Sequence, residues 1–118
     1  MKYILKGGTV VGSSVSCEAD LLIDGEKIAA VGKDLLCEGA QVVDVTGKLL
    51  FPGFIDAHTH FDLDVCNTTT ADDFASGTRS ALRGGTTMVI DFACPNKGET
   101  LGYGLALWHE KADGRSSC

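Results

Sequence analysis

Residues 1–52 alternate short apolar runs with turn residues and show no helical periodicity. The stretch "KYILKGGTVV" is interrupted by a pair of glycines, which predicts two short strands. The stretch "ADLLIDGEKIAAVG" is typical of a β-hairpin whose turn contains Asp24 and Gly25. The stretch "AQVVDVTGKLLFPG" repeats this pattern, with a bend at Thr46 and Gly47. Together these segments predict a small antiparallel sheet or half of a β-sandwich.

The pattern changes at Pro52-Gly53, which is the expected domain boundary. A short apolar strand, "GFIDAHTH", and a polar loop, "FDLDVCNTTT", precede a helical pattern in "TADDFASGTRSALRGG". Thr70 is the expected N-cap of that helix, because its hydroxyl can accept from a backbone N–H of the first turn. Four residues at helical spacing form its expected buried stripe: Phe74, Thr78, Ala81 and Leu82.

A second strand and a second helix are predicted after the first pair. The stretch "TTMVIDF" is nearly continuous in apolar residues, as is typical of a strand buried on both faces of a parallel sheet. The stretch "TLGYGLALWHEKADG" predicts a helix that packs through Leu101, Leu105 and Trp108. The repeated order of strand, loop and helix predicts an α/β fold over residues 53–118, either part of a barrel or an open parallel sheet.

Composition and charge exclude several classes of function. The chain has 118 residues, of which 44% are hydrophobic, so it can form a modest core. Its net charge of -6 argues against nucleic acid, because a phosphate-binding surface needs an excess of Lys and Arg. No apolar run approaches the ~20 residues that cross a bilayer, so no membrane partner is expected. Five cysteines without a CxxC pair favour reduced thiols and a cytoplasmic location.

Two of the three histidines lie one residue apart at the end of a predicted strand. Alternate residues of a strand face the same side, so His58 and His60 share a face, with Asp56 behind them. Two imidazoles at that separation can bind one cation at ~2.0–2.1 Å from each nitrogen. An ordinary polar strand end is the alternative. The remaining histidine, His109, lies in the second predicted helix and is expected to be solvated or at the edge of the core.

Three aspartates follow the predicted strands and extend the set of candidates. Asp91 ends the second strand of the α/β region, where it can be a metal ligand or an outer partner of one. Asp62 and Asp64 lie in the loop after the first strand and are equally consistent with solvated loop positions.

Two motifs carry a resemblance to a known family. The stretch "PGFIDAHTH" resembles the PGxIDxHxH signature of the amidohydrolase superfamily. The stretches "TADDFASGTRSALRGGTTMVIDF" and "PNKGE" resemble the dihydropyrimidinase and D-hydantoinase family. The resemblance implies a β-sandwich portion at residues 1–52. It further implies that residues 53–118 are the first two βα units of a truncated, TIM-like (β/α)8 metallo-hydrolase barrel.

The resemblance also implies a metal site and its neighbours. His58 and His60 would bind one ion of a two-zinc centre, bridged by a carboxylated lysine that is expected beyond Cys118. The other ligands and the catalytic residues are expected beyond Cys118 as well, so none of the catalytic residues falls within the chain. Four residues of the loop after the first barrel strand would line the substrate pocket: Phe61, Leu63, Val65 and Cys66. Asp56 and Asp91 are the expected outer partners.

The implied chemistry is hydrolysis of a cyclic amide, a dihydropyrimidine or a hydantoin, to an N-carbamoyl amino acid by a metal-bridging hydroxide. The resemblance also implies a role in pyrimidine catabolism. Dihydroorotases resemble this motif but have an arginine where this chain has Asp62, so an uncharged cyclic ureide or imide fits better. Allantoinase-like or dihydroorotase-like activity is the alternative among enzymes. The family resemblance implies a homotetramer for the complete enzyme.

Chain length conflicts with an independent enzyme. A complete barrel takes ~250 residues, and residues 53–118 provide only two of its eight units. The chain is therefore expected to be an inactive N-terminal piece of a longer enzyme. Two other hypotheses stay open. One is a non-catalytic dihydropyrimidinase-like scaffold that acts by assembly, and the other is a self-contained binding module.

Overall fold

The computed structural model describes residues 1–118, which divide into the units Met1–Pro52 and Gly53–Cys118. The first unit is a five-stranded sheet in the order β3-β2-β1-β4, with β5 also paired to β1. Its strands are β1 (Lys2–Val11), β2 (Ser16–Asp24), β3 (Lys27–Gly32), β4 (Gln41–Asp44) and β5 (Leu49–Leu50).

The first unit differs from the predicted antiparallel sheet in its pairing. Strands β1, β2 and β3 are antiparallel, but β4 and β5 both run parallel to β1. The bend at Thr46 therefore does not join a hairpin, and the Thr46 N–H donates to Asp44 Oδ1 at 2.9 Å. The turn between β2 and β3 consists of Gly25 and Glu26, one residue later than predicted. The pattern of apolar and polar residues indicates which positions are buried, but it does not indicate which strands pair with one another.

The glycine pair does not divide β1 but places a bulge within it. The register with β2 shifts between Leu5 and Gly8, and Gly7 has a φ of +78°, which a residue with a side chain rarely adopts. The Gly7 N–H donates to Asp20 Oδ1 at 2.9 Å, and the Leu35 N–H donates to Asp20 Oδ2 at 3.1 Å. The bulge leaves the Gly7 N–H without a backbone acceptor on β2, and the Asp20 carboxylate accepts its hydrogen bond instead.

Asp20 is 5% exposed, and its pKa is lowered. The Gly7 N–H is the main cause, followed by the opposing effect of burial, the Leu35 N–H and the nearby Lys6 ammonium, whose Nζ lies 3.9 Å from Oδ2. A carboxylate that accepts backbone N–H bonds is stabilised in its charged form. The folded state of this unit therefore favours ionised Asp20.

The second unit begins with a strand, helix and strand. Strands β6 (Phe54–Thr59) and β9 (Thr86–Asp91) are parallel neighbours, and the helix α1 (Phe74–Arg83) lies between them in sequence. This confirms the predicted parallel pair, although the sheet has two strands and is not closed into a barrel. The predicted polar loop contains a short hairpin of β7 (Asp64–Val65) and β8 (Thr68–Thr69).

The N-cap of α1 is Asp73, not Thr70. Asp73 Oδ1 accepts from the Ser76 N–H at 2.7 Å, and Ser76 Oγ accepts from the Asp73 N–H at 3.2 Å, which completes a capping box. Thr70 instead bonds across the preceding loop, where its Oγ1 accepts from the Leu63 N–H at 2.9 Å. Both residue types cap helices well, so propensity alone did not distinguish the two positions.

The buried stripes of the helices are narrower than predicted. In α1 the buried residues are Phe74, Gly77 and Thr78, whereas Leu82 is 40% exposed. The second helix, α2 (Leu101–Ala112), is confirmed, but it packs mainly through Trp108 and Gly104. Two leucines predicted on its packed side, Leu101 and Leu105, are exposed.

The strand β9 was predicted to be buried on both faces, and this was wrong for the chain as it stands. Met88 is 52% exposed and Ile90 is 50% exposed. Burial on both faces requires helices or strands on each side of a sheet, and here β9 pairs with β6 alone. Neither helix has the length and apolar character that crossing a membrane requires.

The Asp20 contacts generate a pH-dependent prediction. Because the folded-state pKa of Asp20 is lowered, its stabilisation is complete above the ordinary value of about 3.9 and is lost as the pH falls below it. Asp20→Asn should therefore lower the urea midpoint of the chain at pH 7, and the difference from wild type should shrink at pH 3.

Asp24→Asn is the matched control, because Asp24 is half exposed and pairs only with Lys2 at 3.3 Å. This control should leave the midpoint nearly unchanged at both pH values. Equal midpoints for wild type and Asp20→Asn at pH 7 would contradict the assigned role of the carboxylate.

Candidate metal centre

Strand β6 presents two imidazoles on one side of its carboxyl end. His58 lies in β6 and His60 directly follows its last residue, Thr59. The two imidazoles project together, whereas the Thr59 side chain bonds to Asp91, consistent with the alternation of side chains in an extended chain. The Nε2 atoms of the two histidines lie 3.1 Å apart, and their ring centroids lie 5.0 Å apart at an interplanar angle of 79°. Both side chains are exposed. The structure thus brings together the pair that the sequence singled out.

The distance between the two nitrogens fits a shared metal ion. Two nitrogens bound to one tetrahedral zinc at ~2.0–2.1 Å are separated by roughly 3.3 Å. The same distance also suits a hydrogen bond in which one neutral imidazole donates and the other accepts. A catalytic zinc usually has three protein ligands, and no three His, Cys, Asp or Glu side chains of the chain converge on one point. The chain therefore supplies a pair of ligands and not a complete set.

Phe92 covers the histidine pair and was not singled out from the sequence. Its ring centroid lies 4.5 Å from that of His58 and 5.4 Å from that of His60. Phe92 directly follows β9, which is the parallel neighbour of β6. The predicted pairing of these strands could therefore have indicated that Phe92 lies beside the histidines. Its ring provides an apolar wall on one side of both imidazoles.

Asp91 lies at the end of β9 and contacts neither imidazole. Its Oδ2 accepts from Thr59 Oγ1 at 2.8 Å and from the Phe61 N–H at 3.0 Å. Its Oδ1 accepts from Trp108 Nε1 at 2.8 Å. Asp91, predicted as an outer partner of the histidines, therefore bonds to Thr59, which lies between them, and to the backbone that follows His60.

The other predicted partner, Asp56, also contacts the main chain of the site. Its Oδ1 accepts from the backbone N–H of His58 at 3.2 Å, so its bond reaches the strand and not the ring. The third histidine, His109, is 62% exposed on α2 and lies 3.2 Å from Asp113 Oδ1. It takes no part in the cluster.

Phe61, predicted to line a pocket, packs inward against α1. Its ring centroid lies 5.6 Å from that of Phe74, and a Cβ added to Gly77 would lie 2.2 Å from the Phe61 ring. Glycine at position 77 thus allows the loop after β6 to approach the helix closely. Phe61 anchors this loop and does not face the histidine pair.

The remaining predicted pocket residues lie in or beside the small hairpin. Leu63 is half-buried and bonds through its backbone to Thr70, whereas Val65 and Cys66 are exposed. Val65 and Cys66 line an open concavity of about 430 Å³ that neither histidine borders. Cys66 and Asn67 both have positive φ, at +52° and +62°, as the turn of a tight hairpin requires. All five cysteines are free thiols.

Lys111 holds the loop from the side of α2. Its Nζ donates to the carbonyl oxygen of Asp62 and lies 3.9 Å from Asp64 Oδ2. The same ammonium lies 4.9 Å above the Trp108 ring, a cation–π distance, and the side chain is only 15% exposed. Trp108 and Lys111 were not assigned to the site from the sequence, since helix periodicity does not indicate which loop a side chain reaches.

Comparisons with known proteins place these residues in a family context. Residues 49–102 match the profile described as "Amidohydrolase family", and this range includes His58, His60 and Asp91. A D-hydantoinase from Geobacillus stearothermophilus is 49% identical over 116 residues, which cover 98% of this chain and 25% of that protein. A dihydropyrimidinase from Rattus norvegicus is 40% identical over 122 residues, which cover 99% of this chain and 24% of that protein.

A solved structure is similar over the same extent. The crystal structure of dihydropyrimidinase from Brevibacillus agri NCHU1002 matches with a TM-score of 0.93 and 49% identity, covering 98% of this chain and 25% of that one. The chain thus spans about a quarter of the length of the curated relatives that it matches.

The contact between Phe61 and Gly77 generates a prediction on stability. Gly77→Ala should destabilise the chain by about 1–3 kcal/mol, because the added methyl overlaps the Phe61 ring and forces it from its place. Gly102→Ala in α2 is the matched control, since a Cβ there meets nothing within 4 Å and alanine favours a helix by up to about 1 kcal/mol. Urea denaturation measures both, and equal stability of the two variants would contradict the close packing.

Proposed function

Because the chain belongs to the dihydropyrimidinase and D-hydantoinase family of amidohydrolases, whose N-terminal portion it matches, we propose that it contributes the first metal ligands of a cyclic amidohydrolase. The single observation that carries the proposal is the 3.1 Å separation of the Nε2 atoms of His58 and His60. A structural role does not require two exposed imidazoles to converge, whereas metal binding does. The chain spans a quarter of its relatives, so the activity belongs to an enzyme of their length.

In this proposal His58 and His60 would hold one of two zinc ions, and the remaining ligands, a carboxylated lysine among them, would come from outside the chain. When bound, the zinc pair supplies a Lewis acid for the ring carbonyl and an activated water molecule. Phe92 packs its ring against one side of both imidazoles, which restricts the orientations of the two rings. Phe61 and Lys111 hold the loop that follows the two ligands.

The proposed substrate is an uncharged cyclic ureide or imide, such as a dihydropyrimidine or a hydantoin, which opens to an N-carbamoyl amino acid. Asp62 supports this choice, because it stands where dihydroorotases, which resemble the motif, have an arginine, and a carboxylate at that position would repel a substrate that carries its own carboxylate. The parallel pair of β6 and β9, with α1 between them, supports a barrel of the TIM type in the complete enzyme. A homotetramer and a cytoplasmic location stay predictions.

The experiment transplants the chain into an active relative. The matching segment of the Geobacillus stearothermophilus D-hydantoinase, 49% identical, is replaced by residues 1–118. The chimera should hydrolyse hydantoin or dihydrouracil and contain zinc. His58→Ala combined with His60→Ala should abolish hydrolysis and remove at least one zinc ion per subunit, as measured by elemental analysis.

His109→Ala is the control, because this histidine is exposed on α2 and contacts only Asp113. Its activity and zinc content should match those of the unmodified chimera. Full activity and zinc content in the double variant would rule the proposal out. A folded chimera that binds no zinc and opens neither ring would favour the non-catalytic scaffold instead.

A further inference from the structure

We propose that Asp91 is a positioning residue, whose carboxylate connects α2 to the end of β6 and thereby fixes the direction of both imidazoles. This inference rests on the proposed function, since it concerns how the ligand pair is oriented. In this inference the histidine pair is supported by a carboxylate on the opposite side of the two-stranded sheet.

The first half of the connection runs from Asp91 to β6. One oxygen, Oδ2, accepts from Thr59 Oγ1 at 2.8 Å and from the Phe61 N–H at 3.0 Å. These two donors belong to the residues immediately before and after His60. Because adjacent side chains of a strand point to opposite faces, holding Thr59 on the Asp91 side directs His58 and His60 to the other side.

The second half runs from Asp91 to α2. The other oxygen, Oδ1, accepts from Trp108 Nε1 at 2.8 Å, and Trp108 is only 7% exposed. One turn later on the same helix, Lys111 donates to the carbonyl of Asp62, just beyond the bonded Phe61. Helix α2 therefore holds the Asp91 carboxylate through Trp108. It also holds the backbone that follows His60 through Lys111.

An ionised carboxylate suits this position for a chemical reason. All three groups that face Asp91 are donors, and a carboxylate has two oxygens that only accept. An asparagine has one accepting oxygen, so its NH₂ group would face a donor on one of the two sides. Asp91→Asn should therefore break the connection either at Trp108 Nε1 or at the Phe61 N–H, with little change in volume, because the Thr59 hydroxyl can instead accept from an NH₂ group.

The consequence for metal binding follows from orientation. Rings that are held in place before the ion arrives bind it more tightly, and loss of a partner bonded directly to a ligand usually lowers metal affinity by about 10–100-fold. Asp91 holds the residues on both sides of His60 and not a ring, so the lower end of this range, about tenfold, is expected. Asp91→Asn should produce a loss of this size. Thr59→Val and Trp108→Phe each remove one donor and should produce smaller losses, of several-fold.

The test is zinc titration of the 118-residue chain, followed by long-range ¹H–¹⁵N spectra of the imidazole rings. These spectra report the tautomer and the metal-bound nitrogen of each histidine, which a general loss of stability does not alter in the folded molecules. In wild type the Nε2 resonances of both histidines should shift with zinc. In Asp91→Asn they should shift only at higher zinc concentration, with altered ring signals before zinc is added.

Asp113→Asn is the matched control, because Asp113 is an exposed carboxylate at the end of α2 that contacts only His109 among the rings. It should bind zinc as wild type does. Wild-type affinity and unchanged ring signals in Asp91→Asn would overturn the inference. If that variant does not fold, wild-type affinity in both Thr59→Val and Trp108→Phe would overturn it equally.

The same titration separates this inference from the proposed function. His58→Ala should lose the zinc-dependent shift at His60. If instead it binds zinc as wild type does, the metal site itself is wrongly placed and the proposed function fails. If His58→Ala loses binding while Asp91→Asn keeps it, the ligand pair stands and only the role of Asp91 is rejected.

Discussion

The parallel pairing of β6 with β9 is the constraint on which the candidate site depends. It places the carboxyl ends of two strands side by side, so that residues distant in sequence meet at one edge. On one side of that edge lie His58, His60 and Phe92, and on the other lies Asp91 with its three donors. The alternation of side chains within each strand separates the two groups. One backbone arrangement thus places the histidine pair on one side of the edge and the hydrogen bonds of Asp91 on the other.

The sequence predicted the elements of the second unit better than their contacts. The strand with the two histidines, both helices and the parallel pair follow from periodicity, which is a local property. The position of the helix cap was missed by three residues, because Thr70 and Asp73 are both good caps and the choice depends on a loop bond to Leu63. The contact of the Phe61 ring with Phe74 was also not predicted, because it joins a loop residue to a helix residue. Contacts across the fold, such as Trp108 to Asp91, leave no periodic signal.

In the first unit the error concerned pairing and not the presence of strands. A parallel partner for β1 leaves the same pattern of apolar residues as an antiparallel one, so β4 and β5 were placed in a hairpin that does not exist. The bulge at Gly7 was not predicted, because a pair of glycines usually indicates a break between two strands. In the structure β1 continues through the pair, since Asp20 accepts the hydrogen bond of the Gly7 N–H. Family resemblance adds what periodicity lacks here, namely a proposed function for the pair of histidines, but it does not explain their geometry.

The close spacing of His58 and His60 in the chain has a consequence for the order of biosynthesis. Ligands two residues apart need almost no loop closure, so they can approach one another as soon as their segment leaves the ribosome. The residues proposed to orient them, Asp91 and Trp108, emerge much later. A nascent chain therefore presents the two imidazoles before it gains the groups proposed to orient them, and any metal that they bind during translation would meet a less ordered pair than in the finished fold.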